Sequence, residues 1–168
     1  MSFDSMNAYL GIEGFFTKSG FILKELCIFY DDEKFDHYIF KEPTWTWGLT
    51  NRDWDTIHYA SSQLNWLHFH DGSIPYTAIT EILNCIRDYQ IYTFSNLAVE
   101  TLREYLPDTE KIKNIQDLGF EMPKQLPNSH CFRSHIVWDK KHCVTAPRHR
   151  YCAKAKAQEV RDFMIYFD

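Results

Sequence analysis

Two long apolar stretches near the start of the chain most constrain its fold. "AYLGIEGFF" (8–16) and "FILKELCIFY" (21–30) are separated by a short turn at Lys18-Ser19-Gly20. Apolar runs of this length, rich in aromatic and β-branched residues and bounded by turn residues, are typical of buried strands. The sequence therefore predicts two strands joined by a short turn at the beginning of the fold.

The remainder of the chain alternates helical and strand patterns. Strands are predicted at "HYIF" (37–40), "QIYTF" (90–94) and "KIKNI" (111–115). A helix is predicted near 55–67, following an aromatic connection at 41–54. Two further helices are predicted, one capped by Ser73 and one capped by Ser95 or Asn96. The last predicted helix is "CAKAKAQEVRDFMIYF" (152–167). Three opening strands followed by alternating helices and strands predict an α/β fold, a mixed sheet flanked by helices.

Length and composition limit the class of protein. The 168 residues are expected to form a single domain (1–168), and 45% hydrophobic residues indicate a folded core. We expect no membrane association, because the sequence contains no apolar run of about 18 residues. The N-terminus lacks the features of a signal peptide. Together with five cysteines, an odd count, this predicts an intracellular protein, cytoplasmic or nuclear and not secreted.

Positive charge is concentrated in one segment of an acidic chain. Residues 123–156 contain eight lysines and arginines and a single acid, Asp139, so the segment carries +7 within a chain total of −5. Such asymmetry is typical of a surface that binds a polyanion. A solvated basic loop neutralised by acidic neighbours is the alternative.

Three motifs resemble those of DEDD exonucleases, which have the ribonuclease H-like fold. "YLGIEGF" resembles their first motif, "TFSNLAVETLREYL" their second and "HRYCAKAKAQEVRDFM" their third. The resemblance implies a ribonuclease H-like mixed sheet with three opening strands. The motifs of this chain also depart from the exonuclease pattern. In the first motif, Gly11 replaces the Asp and Glu13 is kept. The acid of the second motif is Glu100 at best, and the Asp position of the third motif falls near Ala157 or at Glu159. Two-metal chemistry needs several convergent carboxylates, so an ordinary DEDD exonuclease is not expected.

The chain is more similar to the Maelstrom domain, a branch of this fold that carries a Glu-Cys-His-Cys tetrad. The similarity rests on Glu13, the connection "IQDLGFEMPKQLP", the Cys/His-rich segment and Cys152 before the last helix. It implies a structural zinc ion held by Glu13, Cys131, His135 and Cys152, with His149, Cys143 and His142 as alternates. Zinc accepts this mixture of thiolate, imidazole and carboxylate in tetrahedral geometry.

Several of these residues have plainer interpretations. Glu13 could be a core carboxylate paired with a cation. Cys27 and Cys85 are expected to be small buried residues. His68 and His70 beside a turn favour ordinary surface chemistry over a metal site.

Tryptophans suggest two further roles. Trp45, Trp47 and Trp54 lie near Arg52 in sequence and could stack on single-stranded bases, but covering the edge of the core is the favoured interpretation. Trp66 and Phe69 are expected to pack inside the fold.

The resemblance implies a zinc-stabilised domain that binds single-stranded RNA, acting in small-RNA silencing or its viral antagonism, with a silencing protein as a further partner. The expected RNA contacts are Lys140, Lys141, Arg148, Arg150, Trp138 and Arg133. Two alternatives remain open: a catalytically inactive nuclease fold that binds proteins, and an RNA nuclease that would require Mg²⁺ or Mn²⁺.

Overall fold

The computed structural model describes residues 6–64, 67–106, 108–122 and 152–167. Their strands are β1 (Asn7–Thr17), β2 (Gly20–Tyr30), β3 (Phe35–Ile39), β4 (Gln90–Thr93) and β5 (Ile112–Asn114). Their α-helices are α1 (Asn51–Tyr59), α2 (Ile79–Asn84), α3 (Asn96–Arg103) and α4 (Ala153–Ile165).

The strands form one mixed sheet in the order β3-β2-β1-β4-β5. The first three strands are antiparallel, as expected for closely connected neighbours, whereas β4 runs parallel to β1 and β5 runs parallel to β4. The predicted α/β class, with three opening strands and flanking helices, is confirmed. None of the helices in the described residues is long and apolar enough to cross a membrane.

Different helices cover the two sides of the sheet. Alternate residues of β1 and β2, such as Leu10 and Leu26, pack with Leu83 of α2 and Leu102 of α3. The intervening residues of the same strands pack against α4, because successive side chains of a strand point to opposite faces. Ala153, Ala157 and Val160 of α4 are fully buried in this contact.

A bulge in β2 places a lysine inside the protein. The register passes from Glu13–Glu25 directly to Gly14–Leu23, so Lys24 has no partner on β1. The fully buried Lys24 ammonium donates to the backbone carbonyls of Phe40, at 2.7 Å, and Phe69, at 2.6 Å, as well as to that of Asp71. Burial lowers the pKa of Lys24 to about 8, and the carbonyls satisfy its donors.

Two predicted helix boundaries were wrong. The helix expected near 55–67 begins at Asn51, where Thr50 and Asp53 form a reciprocal capping box, and it continues beyond Tyr59 as a wider π-helical turn. The helix expected after Ser73 starts instead as a 3-10 turn at Tyr76, preceding the short α2. By contrast, Ser95 caps α3 as predicted, with its hydroxyl accepting the Ala98 N–H at 3.2 Å.

A candidate functional site beneath the last helix

Close packing of α4 on β1 defines the floor of the site. A Cβ placed on Gly11 would lie 2.1 Å from the Ala153 carbonyl oxygen and 2.6 Å from the Ala157 nitrogen. These are backbone atoms of the helix, so they cannot yield by changing a rotamer. An aspartate at this position would require α4 to move away from the sheet. Gly11 is thus the residue that permits this helix position.

The carboxylate of Glu13 is bound by a lysine from α4. Lys156 Nζ lies 2.6 Å from Glu13 Oε2 and donates to the Ile12 carbonyl oxygen at 3.1 Å. The Gly14 N–H donates to the other carboxylate oxygen at 3.4 Å. Both side chains of the pair are largely buried. This is the arrangement that the plainer interpretation of Glu13 predicted.

Burial and the Lys156 ammonium shift the pKa of Glu13 in opposite directions. Burial raises the pKa of the Glu13 carboxyl, and the nearby Glu25 carboxylate raises it further, while the Lys156 ammonium lowers it. The ammonium supplies the positive charge that a buried carboxylate needs. A divalent cation bound to Glu13 would have to displace Lys156.

Glu25, which no sequence motif indicated, provides the cap of α4. It lies opposite Glu13 across the β1–β2 pair and is fully buried. One carboxylate oxygen accepts the Ala153 N–H at 2.8 Å, and the other lies 2.7 Å from Nε2 of His37 on β3. The first turn of α4 has no acid of its own, and Cys152 at the N-cap makes no capping hydrogen bond. Glu25 thus places a carboxylate at the positive end of the helix.

The two described members of the predicted zinc set occupy different surroundings. Cys152 is buried against Ala155, with Met122 packed beside it, whereas Glu13 is engaged by Lys156 one turn further along α4. The other predicted ligands lie outside the described residues: Cys131, His135, His142, Cys143 and His149. Within the part of the chain that the structure describes, no group of three or more His, Cys, Asp or Glu residues could hold a metal ion.

The remaining cysteines and histidines divide between interior and surface. Cys27 is buried as expected, and burial raises the pKa of its thiol, with Glu25 and Cys152 adding to the effect. The prediction that Cys85 is buried was wrong, because its position after α2 faces solvent. His68 and His70 are exposed, as the surface interpretation predicted.

The acids suggested by the exonuclease motifs do not converge. Glu13 and Lys156 line a cavity of about 190 Å³ together with Phe16, Phe21 and Phe94. Glu100 is exposed and lines a separate cavity of about 460 Å³ between α3 and β5.

At the third motif, Ala157 is fully buried beside Gly11, and Glu159 is half-buried on α4. The cavity beside Glu13, between β1, the start of α3 and Lys156 of α4, therefore combines aromatic rings with one ion pair. It lacks, among the described residues, the cluster of carboxylates that two-metal hydrolysis requires.

The residues expected to contact RNA lie outside the described residues: Lys140, Lys141, Arg148, Arg150, Trp138 and Arg133. The structure does describe both ends of their segment, where Met122 packs against Cys152 and Ala155. It also describes two of the segment's cations. Lys154 lies over the Phe35 ring, 4.7 Å from its centroid, and Lys156 is paired with Glu13.

The tryptophans before and within α1 have different environments. Trp54 is half-buried and packs edge-on against Phe69, which is buried as predicted. The prediction that the tryptophans cover the edge of the core is therefore confirmed for Trp54. The prediction is wrong for Trp47, which is 89% exposed, while Trp45 is 40% exposed. Trp66 lies outside the described residues.

Comparison with known proteins adds no relative: no family model, curated protein or solved structure matches this chain. The fold and the site geometry are therefore the basis for the functional conclusions.

Proposed function

We propose that this chain is a non-catalytic domain that binds single-stranded RNA, with a ribonuclease H-like fold of the Maelstrom type. The observation that carries the non-catalytic part is the Glu13–Lys156 pair. An ammonium stands 2.6 Å from the acid of the first strand, and α4 closes over Gly11 beside it. A lysine in this place neutralises the carboxylate that a nuclease would use to bind a metal ion.

The topology supports the fold assignment. Three antiparallel strands open the sheet, and the next two strands run parallel to β1 after helical connections. This is the arrangement that the motif resemblance predicts. Because one fold can host many functions, the assignment supports the RNA-binding proposal by analogy, and the charge distribution provides its physical basis.

The basic segment supports RNA as the ligand. Residues 123–156 carry +7 in a chain of net charge −5, and +6 without Lys156, which is paired with Glu13, so a polyanion would be attracted to this part of an otherwise acidic protein. Met122 packs against Cys152, so the described residues that flank 123–151 lie close together. A small-RNA silencing pathway is the proposed setting.

The decisive experiment is a charge reversal within the basic segment. Lys140, Lys141, Arg148 and Arg150 are replaced by Glu, and binding of a labelled oligouridylate is measured by fluorescence anisotropy over a range of salt concentrations. If these four residues contact phosphates, affinity should collapse and the slope of log K against log salt should flatten by about 3.

Four exposed cations elsewhere offer a matched control with the same total charge change: Lys34, Arg87, Arg103 and Lys113. If the two sets of substitutions weaken RNA binding equally, the loss reflects the net charge of the protein and not contacts made by the basic segment. Wild-type protein that binds no RNA would refute the proposal and favour a protein-binding role. Digestion of the RNA with Mg²⁺ or Mn²⁺, abolished by Glu13→Ala in a folded protein, would instead establish a nuclease.

We also propose a structural zinc ion, held by Cys152 and donors from 131–149. Bound zinc would supply folding free energy and no catalytic step. The buried start of α4 suits Cys152 as a ligand, whereas Glu13 could join only if Lys156 released it.

Metal analysis of protein purified without a metal-affinity tag should find about one zinc per chain, lost together with thermal stability in Cys152→Ser. Cys85→Ser is the matched control, because Cys85 is exposed. A folded wild-type protein without zinc would remove the metal from the proposal and leave RNA binding unaffected.

A further inference from the structure

An exposed aromatic corner lies in the connection between β3 and α1. The 3-10 helix Thr44–Gly48 contains no buried residue and presents Trp47 and Trp45 to solvent. Gly48 follows directly, and a side chain placed on it would meet open space. Trp47 is 89% exposed and Trp45 is 40% exposed, so burial in the core does not account for the Trp47 ring.

Cations border these tryptophans on both sides. Lys41 precedes the 3-10 helix and Arg52 follows it, and both are exposed. The β1–β2 turn is held beside them, because the Lys18 N–H donates to Asp53 Oδ1 at 2.8 Å. This adds the exposed Lys18 to the same corner. We define the aromatic corner as Trp45, Trp47, Lys18, Lys41 and Arg52.

Acidic residues also lie near this corner, and two of them are already engaged. Asp53 is buried and its oxygens accept the backbone N–H groups of Lys18 and Thr50. Glu42 is half-buried and contacts His70, with 3.3 Å between Oε1 and Nδ1. Asp55 and Asp71, which follows His70, are exposed. The three exposed cations of the corner therefore outnumber the two exposed acids by one, and its solvent-facing charge is slightly positive.

We infer that the aromatic corner binds single-stranded nucleic acid, with bases stacked on Trp47 and Trp45 and phosphates contacted by Lys18, Lys41 and Arg52. Exposed aromatic rings beside cations are the combination that grips single strands without sequence preference, because every base has a flat face. This inference rests on the proposed RNA binding, and it adds a stacking platform separate from the basic segment.

The test compares Trp47→Ala with Tyr166→Ala, using the labelled oligouridylate. Tyr166 is the matched control because it is an aromatic residue with 84% exposure near the C-terminal end of the fold. Loss of one base–aromatic stack should weaken binding by about fivefold or more, with the salt slope unchanged. Trp47→Phe should retain most of the affinity, and Arg52→Ala should flatten the slope by about 0.7.

The outcomes separate this inference from the proposed function. If Trp47→Ala and Tyr166→Ala both bind RNA as wild type does, while the reversal in the basic segment abolishes binding, the aromatic corner is not an RNA surface. If Trp47→Ala weakens RNA binding and the charge reversal in the basic segment does not, the aromatic corner is supported as an RNA surface and the proposed role of the basic segment is refuted. Absence of RNA binding by the wild type would overturn both.

Discussion

On one face of the sheet, α2 and α3 bury a continuous layer of aliphatic side chains, whereas on the other face α4 buries charges. Leu10, Leu83 and Leu102 typify the first face, and their burial is stabilising without any requirement for a partner of particular charge. Glu13 and Glu25 typify the second, where each carboxylate must be matched by Lys156 or by the start of a helix. The helix α4 is therefore positioned by specific polar contacts as well as by packing.

Removing Lys156, the cation that pairs with Glu13, should produce the largest effect. Lys156→Met leaves Glu13 buried without its ion-pair partner, which should cost about 3–5 kcal/mol of unfolding free energy near neutral pH. Urea unfolding measures this cost. The double variant Glu13→Gln/Lys156→Met should recover much of the loss, because no uncompensated charge remains.

The cost of Lys156→Met should also shrink in acid. Burial raises the folded-state pKa of Glu13 above its unfolded value, so the folded protein binds more protons in the interval between these values. The stability that Glu13 contributes is consequently present at low pH and lost as the pH rises through its folded-state pKa. At low pH the Glu13 carboxyl is protonated, so removing Lys156 leaves no unpaired charge. Leu102→Ala is the contrast: its cost of about 2–5 kcal/mol should not vary with pH, because it removes only apolar contacts. A pH-independent cost for Lys156→Met would contradict the assigned role of the pair.

A smaller effect is expected from crowding the contact between α4 and β1. Gly11→Ala places a methyl group against Ala153 and Ala157 backbone atoms and should destabilise the protein by about 1–3 kcal/mol. Gly48→Ala is the matched control, since a Cβ there meets open space, and it should change stability by less than about 0.5 kcal/mol. Thermal unfolding of both variants makes the comparison, and equal stability would mean that α4 can shift without penalty.

The local parts of the fold could be predicted from the sequence. The long apolar runs of β1 and β2, and the strands β4 and β5, were recognisable because their signals lie within a few consecutive residues. Ser95 was a recognisable cap for the same reason. The capping box at Thr50 and Asp53 was also a local signal, and it was overlooked among the surrounding tryptophans.

The candidate site depended on contacts between distant parts of the chain. Lys156 meets Glu13 across 143 positions, and the Ala153 N–H meets Glu25 across 128. A lysine in an alanine-rich helix is typical of a solvent-exposed charge, and its sequence neighbours do not indicate which acid it pairs with. The same holds for Trp47, whose exposure depends on whether other elements cover its short helix.

The sequence by itself determined which segments become strands and helices, because hydrophobic periodicity and capping are properties of neighbouring residues. Tertiary structure decided which charges share the interior, because a buried carboxylate is stable only where folding brings a cation or a helix N-terminus to it. In this protein, folding brings the Lys156 ammonium to the Glu13 carboxylate.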